Sequence, residues 1–244
     1  MSRQRLDKVL SHMGVGSRSE LKKIVKQGRI QVNGRIVKDA GLQVTPELDL
    51  IEFDGERIAY KPFIYLMLNK PQGVISATED GRERTVLDLL DESLRVFDIF
   101  PVGRLDKDTE GLLLLSNDGQ LAHNLLSPRK HVPKTYYAHI EGVVGEVDQV
   151  YFAKGVELDD GYVTLPAQLI IKKVDEVNSP PISIIELTIH EGKFHQVKRM
   201  FQAVDKQVVY LKRIQMGSLL LNPLLALGEY RELTDEELRG LKGV

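Results

Sequence analysis

The N-terminal part of the chain shows two apolar periods, a helical one followed by a strand-like one. Apolar residues recur every three or four positions over residues 3–13, which predicts a short amphipathic helix. The capping box Ser17-Arg-Ser-Glu20 opens a second predicted helix, which ends at Gly28. Alternation around Asn33-Gly34 then predicts a β-hairpin. The pattern predicts a small domain of helices and a hairpin over residues 1–58.

Residues 59–244 have the pattern of short strands with few helices between them. The predicted strands cover residues 63–68, 112–115, 135–141, 162–173, 182–190 and 207–214. The predicted helices cover residues 120–126 and 194–204 and a last segment that opens at the capping box Thr234-Asp-Glu-Glu237. The buried stripe of the helix over 194–204 is predicted to hold Phe194, Val197, Met200, Phe201 and Val204. Strands with only occasional helices predict an α+β fold, with a mixed, mainly antiparallel sheet in this larger domain.

The densest group of charges lies in the middle of the chain. Arg104, Asp106, Asp108 and two further charged residues fall within seven positions, and four leucines follow directly after Gly111. A charged turn that leads into a buried strand holds its carboxylates rigidly, and a neighbouring arginine keeps a carboxylate ionised where water is removed. The alternative, in which both aspartates are solvated turn residues or caps, stays open at this point.

The composition of the chain bears on its number of domains, its cellular location and the kinds of site that it can contain. At 244 residues and 42% hydrophobic content, the chain is long enough for one large and one small domain. No apolar run is long enough to span a membrane, and the N-terminus lacks an apolar signal region, so we expect a cytoplasmic protein that does not bind membranes. The chain has no cysteine, which excludes disulfides and thiolate metal sites.

One segment of the sequence is similar to a metalloprotease motif. His190-Glu-Gly-Lys-Phe-His195 resembles the HExxH motif, in which two histidines four residues apart share one face of a helix. Here the histidines are five residues apart, and Gly192 weakens a helix between them. A turn followed by a helix fits the phrase better, and no metal site is predicted.

Charge is divided unevenly along the chain. The net charge is −2, yet residues 1–38 carry ten Lys or Arg against two acidic residues, a local charge of +8. Such a block predicts a module that binds a polyanion, unless it is only a solvated helix face. The residues predicted to contact the polyanion are Arg3, Arg5, Arg18, Lys22, Lys23, Lys26 and Arg29 and, in the larger domain, Arg104, for which a role in positioning its loop is the alternative.

The central phrase Gly103-Arg-Leu-Asp-Lys-Asp-Thr-Glu-Gly-Leu-Leu113 closely resembles the signature of the pseudouridine synthases. In that family the aspartate of Gly-Arg-Leu-Asp is the catalytic carboxylate, which the resemblance places at Asp106. The phrase Leu68-Asn-Lys-Pro-Gln-Gly-Val74 resembles the first motif of the same family, without implying a role for Lys70.

Two further sequence motifs imply residues that act together with this aspartate. Lys134-Thr-Tyr136 fits the family's Lys-x-Tyr motif, and the resemblance implies that its tyrosine stacks on the target base, with Tyr137 as the neighbouring alternative. Residues Gly192 to Lys198 fit a motif that ends in a basic residue, which implies that this lysine pairs with Asp106. Arg199 is the adjacent rival.

The N-terminal phrases Arg5-Leu-Asp-Lys-Val-Leu10 and Gly28-Arg-Ile-Gln-Val-Asn-Gly34 resemble an S4 RNA-binding domain, over roughly residues 3–50. Together with the phrase from Glu191 to Phe201, this is most similar to the branch of the family that acts on small-subunit ribosomal RNA, the ribosomal small subunit pseudouridine synthase A family. The resemblance implies that the protein converts a uridine of 16S rRNA, at the branch's position 516, to pseudouridine. It implies ribosomal RNA as the partner and no cofactor, and we expect a monomer.

The implied reaction leaves several alternatives open. Asp106 could act as a nucleophile at the anomeric carbon or as a base at the neighbouring carbon, and the sequence does not choose between them. Three other functions compete: a non-catalytic S4-type RNA-binding or ribosome-assembly factor, a synthase acting on 23S rRNA, and a hydrolase that uses Asp106 and Asp108 as its carboxylate pair.

Overall fold

The computed structural model describes residues 3–177 and 179–243, which divide into two units. The first unit holds the described residues up to Ile64 together with Asp91–Ile99, and the second holds Tyr65–Leu90 and the described residues from Phe100 onward. The chain therefore passes between the units three times, whereas the sequence predicted a single boundary after residue 58.

The first unit is built from two helices and short strands. The helices are α1 (Leu6–His12) and α2 (Arg18–Lys26), and the strands are β1 (Gln4–Arg5), β2 (Ile30–Val32), β3 (Arg35–Ile36), β4 (Gln43–Val44), β5 (Ile51–Phe53) and β6 (Glu56–Arg57). Four strands form an antiparallel sheet in the order β3-β2-β5-β6, and β1 pairs with β4. The predicted capping box is confirmed, since the Ser17 hydroxyl accepts from the amide of Glu20 and the Glu20 carboxylate accepts from the amide of Ser17. Asn33 and Gly34 form the predicted hairpin turn at positive φ.

A short excursion of the chain completes this unit. Asp91–Ile99 contains the 3₁₀ helix Glu92–Phe97, whose last residue is buried. The Phe97 ring packs edge-on against the imidazole of His12, with the ring centroids 5.5 Å apart. This excursion is thus part of the packing of the first unit, although in sequence it interrupts the second.

The second unit is organised around a nine-stranded sheet in the order β11-β12-β10-β13-β9-β7-β15, with β14 on β13 and β8 on β9. Its strands are β7 (Tyr65–Lys70), β8 (Phe100–Val102), β9 (Glu110–Ser116), β10 (Lys134–Glu141), β11 (Gln168–Asp175), β12 (Ile182–Ile189), β13 (Gln207–Met216), β14 (Leu219–Leu220) and β15 (Tyr230–Glu232). All pairings between them are antiparallel except that of β13 with β9. The predicted mixed, mainly antiparallel sheet is confirmed.

Four helices and two 3₁₀ segments accompany this sheet. They are α3 (Gly119–Leu126), α4 (Glu146–Lys154), α5 (Gln196–Gln202) and α6 (Asp235–Lys242), with the 3₁₀ segments Val86–Leu89 and Pro128–Lys130. Asp118 caps α3 by accepting from the amide of Leu121, and the predicted capping box of Thr234 with Glu237 is confirmed. No helix in the described ranges is both long and apolar enough to cross a bilayer.

Two predicted elements are wrong at their starts. The strand predicted from residue 162 begins only at Gln168. The helix predicted from residue 194 begins at Gln196, because His195 adopts a left-handed conformation with φ of 49°. Phe194 therefore lies outside the helical stripe and is 75% exposed, instead of buried as predicted.

The pairing of β13 with β9 is short and lies directly after the charged loop. The parallel contact of β13 with β9 consists of two residue pairs, one of which is Arg213 opposite Gly111. Gly111 has a φ of 100°, and a Cβ there would lie 2.2 Å from the carbonyl oxygen of Arg213. Only glycine permits both the conformation and the approach, so this residue allows β9 to leave the charged loop directly into the sheet.

Candidate active site

The loop that carries Asp106 leads from β8 into β9, and its backbone is fixed from both sides. The Ser76 hydroxyl accepts from the amide of Leu105 at 3.0 Å and donates to the carbonyl of the same residue at 2.9 Å. Lys70, at the end of β7, donates to the carbonyl oxygens of Asp106 and Thr109, each at 2.9 Å. The loop is therefore held in one backbone conformation before any substrate binds.

Lys70 is fully buried, and its charge is solvated by the loop instead of by water. A third hydrogen bond runs from its ammonium group to the carbonyl of Pro71 at 3.0 Å. Burial lowers the pKa of Lys70 to about 8, against the opposing effect of nearby carboxylates, of which Asp106 is the largest contributor. No role for this lysine was predicted from the sequence. The register of β7 against β9, which pairs Lys70 with Gly111, places it under the loop.

The Asp106 carboxylate meets two side chains from the segment around the start of α5. Lys198 Nζ lies 3.1 Å from Asp106 Oδ2 and 2.6 Å from Asp108 Oδ1. His195 Nε2 lies 3.5 Å from Asp106 Oδ1. The Asp106 side chain is 30% exposed, so it is accessible from one side and held from the other. Arg199, the rival of Lys198 in the sequence, pairs with Asp159 and Asp160.

Lys198 and Asp108 stabilise each other's charged forms. Burial alone would lower the pKa of Lys198, but the hydrogen bonds that Lys198 donates to Asp108 and Asp106 outweigh it and raise that pKa above its ordinary value. Burial alone would raise the pKa of Asp108, and the Lys198 hydrogen bond and charge outweigh it and lower that pKa. The Lys198 ammonium group therefore forms ion pairs with the carboxylates of both Asp106 and Asp108.

Glu191 fixes the turn that places His195 and Lys198. Its buried carboxylate accepts hydrogen bonds from the Leu165 amide at 2.9 Å, the Tyr162 hydroxyl at 2.7 Å and the Gln196 side-chain amide at 3.0 Å. Sequence reasoning placed this residue in a turn and assigned it no role, because it considered the glutamate only as part of a metal motif that it then rejected. The available signal was the acidic residue directly before a glycine turn.

Tyr136 is buried on β10 and stands opposite Leu187 on one side and Arg213 on the other. Within the described part of the chain, hydrogen bonds join the aspartate to the lysine but join neither of them to the tyrosine. Tyr137 is half-buried: its hydroxyl lies 3.1 Å from His139 Nε2 on the same strand, and its ring packs edge-on against Tyr210 of β13 at 6.3 Å, as in ordinary cross-strand packing.

Two buried cations accompany Tyr136, and the sequence predicted neither. Arg213 is 2% exposed and donates through Nε to the carbonyl of Leu112 at 2.8 Å, while its Nη2 has no hydrogen-bond partner among the described residues. Burial, and secondarily the Arg213 charge, lowers the pKa of Lys134 to about 8. Two buried cations, neither with an ion-pair partner among the residues that the structure describes, therefore lie on and beside the strand that carries the predicted stacking residue.

The basic residues predicted to bind RNA fall into two groups. Arg18, Lys22, Lys23 and Lys26 lie exposed on α2, and Arg104 lies exposed on the loop before Asp106. The other three already have acceptors: Arg5 pairs with Asp7, Arg29 pairs with Asp54, and Arg3 donates to the carbonyl of Gln43. The α2 face is thus the part of the first unit with the most uncompensated positive charge.

Comparison with known proteins assigns this arrangement to a family. Residues 64–203 match the family model for RNA pseudouridylate synthases, and residues 4–50 match the S4 domain. The chain is 54% identical to YtzG of Bacillus subtilis, named an uncharacterised RNA pseudouridine synthase, over 96% of each chain. The chain belongs to the RNA pseudouridylate synthase family. The predicted enzyme class is confirmed, and the alternatives of a hydrolase and of a non-catalytic RNA-binding protein are set aside.

This synthase has relatives named for either ribosomal subunit. It is 42% identical to ribosomal small subunit pseudouridine synthase A of Escherichia coli, over 96% of the chain and 98% of the relative. It is 39% identical to ribosomal large subunit pseudouridine synthase B of Bacillus subtilis, over 99% of the chain and 96% of the relative. A crystal structure of a pseudouridylate synthase matches the synthase with a TM-score of 0.67 at 37% identity, over 97% of this chain and 99% of that one.

Proposed function

We propose that Asp106 is the catalytic carboxylate of this synthase. The observation that carries the proposal is a carboxylate held 3.1 Å from Lys198 on a loop whose backbone Lys70 anchors from below. Forming pseudouridine breaks the bond from the anomeric carbon to N1 and forms a bond to C5 of the same uracil. C5 loses a proton and N1 gains one, so the isomerisation needs no oxidant and no energy source. A single fixed carboxylate at the ribose serves either as the nucleophile or as the base in this sequence.

Lys198 and Tyr136 support this carboxylate in different ways. Lys198 orients the Asp106 carboxylate through their ion pair, and removal of the cation would leave two neighbouring carboxylates without this partner. Tyr136 stacks on the uracil once the nucleotide has left its own stack, and its hydroxyl is suited to assist removal of the C5 proton. Extruding the base costs roughly a few kcal/mol, which contacts to the RNA phosphates offset.

The substrate that we propose is small-subunit ribosomal RNA, at the uridine that the sequence resemblance implies, position 516 of 16S rRNA. Two features support it: the phrase from Glu191 to Phe201, and the relative named for the small subunit at 42% identity. A substrate in ribosomal RNA also fits the cytoplasmic location and the monomer expected from the sequence. The 39% identity to a large-subunit synthase makes 23S rRNA the competing substrate.

Mapping of pseudouridines in both ribosomal RNAs, with and without this gene product, tests the substrate. We expect one small-subunit pseudouridine to disappear in the deletion strain and to return with the wild-type gene but not with Asp106→Asn. A pseudouridine lost from the large subunit instead would contradict the small-subunit assignment and leave the enzyme class intact.

The exposed basic face of α2 is expected to supply salt-dependent affinity for the RNA. Replacement of Arg18, Lys22, Lys23 and Lys26 by Gln removes up to four phosphate contacts, so the slope of log affinity against log salt should become shallower by roughly 3. Binding to a ribosomal RNA transcript at several salt concentrations measures this slope. The matched control replaces four exposed basic residues of the second unit by Gln: Lys154, Lys172, Lys173 and Arg239. Equal slopes for the two variants would remove α2 from RNA binding.

A further inference from the structure

Phe194 is an aromatic side chain that the fold leaves in solvent beside the proposed catalytic group. Its ring is 75% exposed, although the apolar pattern of the segment predicted it to be buried. A phenyl ring gains nothing from water contact, so its exposure next to a reactive carboxylate needs a reason other than packing.

The ring belongs to a short aromatic stack that ends at Asp106. Phe194 stacks face to face on the imidazole of His195, with centroids 3.8 Å apart and planes 18° apart. His195 Nε2 in turn lies 3.5 Å from Asp106 Oδ1. Phe194 therefore stands one ring further from the carboxylate than His195 does.

The backbone holds this stack in place. His195 has a φ of 49°, a left-handed conformation that costs energy in a residue with a side chain. Hydrogen bonds on both sides maintain it, since the Lys193 amide donates to the Gln196 side chain at 2.9 Å and Gln196 donates to Glu191 at 3.0 Å. The ring is presented by a fixed turn, so little conformational entropy is lost when a partner stacks on it.

We propose that the exposed face of Phe194 is the stacking site for a nucleobase next to the target uridine in the RNA chain. Extrusion of one nucleotide breaks the stacking on its neighbour, and an unstacked base gains by lying on an aromatic side chain. The reacting uracil belongs beside Asp106, and a ring one step further out meets an adjacent nucleotide. The site takes any base with an exposed face, and so it favours loops and bulges over regular helices.

This inference rests on the proposed role of Asp106. Its test distinguishes a failure of the stacking site from a failure of the Asp106 assignment. The probe is a synthetic RNA centred on the mapped uridine, with 2-aminopurine at the 5′ or the 3′ neighbour. Full-length Asp106→Asn protein is expected to quench the fluorescence at one of the two positions, and the double variant Asp106→Asn, Phe194→Leu to bind without that quenching. Because this readout reports binding without turnover, it stands even if Asp106→Asn proves to be active.

Turnover gives the second readout. With Asp106 intact, Phe194→Leu is expected to lower kcat/KM about 10-fold through KM, since stacking on an aromatic ring contributes on this order. On RNA with an abasic residue at the quenched position, wild type should show the same loss and Phe194→Leu no further loss. Phe194→Tyr should behave as wild type on both RNAs, and so should Leu224→Ala, which truncates another exposed apolar side chain. Quenching at neither neighbour, or a Phe194→Leu loss that persists on abasic RNA, would overturn the proposal.

Discussion

Replacement of Asp106 by Asn is expected to abolish pseudouridine formation, with a loss of at least about 10⁴-fold, as for single catalytic groups that act as part of a unit. The amide has the same shape but can act neither as a nucleophile nor as a base. Folding should be preserved because the loop is held through backbone groups, by Lys70 and Ser76, and not through the carboxylate. Modification mapping on an in-vitro RNA transcript measures the activity, while circular dichroism and RNA binding verify that the variant is intact.

Asp108→Asn is the matched control for this variant, since Asp108 binds the same Lys198 ammonium at 2.6 Å and lies two positions away. It should retain most of the activity. Substantial turnover by Asp106→Asn, or an equal loss in both variants, would end the assignment of Asp106 as the reacting group.

Replacement of Lys198 by Met is expected to lower kcat about 100-fold with a smaller change in KM. Breaking a fully buried ion pair costs about 3–5 kcal/mol, and the partial exposure of Asp106 reduces that figure toward the 2–3 kcal/mol that corresponds to this loss. Single-turnover rates measured at saturating and subsaturating RNA test both expectations.

Arg199→Met separates the role of Lys198 from a general effect of charge on α5. Arg199 is bound to Asp159 and Asp160, so its loss should leave kcat within a few-fold of wild type. A large loss of kcat in Arg199→Met, with little loss in Lys198→Met, would assign the role to Arg199 instead.

Local rules predicted most of the fold and the phrases that carry the site. Capping boxes at Ser17 and Thr234, the Asn33-Gly34 turn and the run of leucines after Gly111 each depend on neighbours within a few residues, so the sequence contains the whole signal. The roles of Lys70 and Arg213 could not be predicted in this way. They depend on which strand lies beside which and in what register, and that is decided by packing across the sheet.

The start of α5 shows the same contrast, between what near neighbours in the sequence predict and what tertiary contacts decide, at a single residue. Periodicity alone extends the helix to Phe194, whereas the hydrogen bonds among Glu191, Lys193 and Gln196 and the left-handed His195 delay it by two positions. Tertiary contacts thus override the apolar pattern beside the Asp106 loop, and a shift of two residues decides whether the Phe194 ring is buried in the core or exposed to solvent.

The excursion at Asp91–Ile99 determines how this enzyme can be truncated or joined to a domain of another enzyme. A cut after residue 58 removes helix α1, against whose His12 the Phe97 ring packs, and leaves that apolar ring behind on the remaining fragment. A chimaera that transplants the RNA-binding unit from another synthase would have to carry two separate stretches of gene, and truncation would report damage to the fragment together with loss of the unit. Charge substitutions on α2 avoid this confusion, because they alter the unit without dividing the polypeptide.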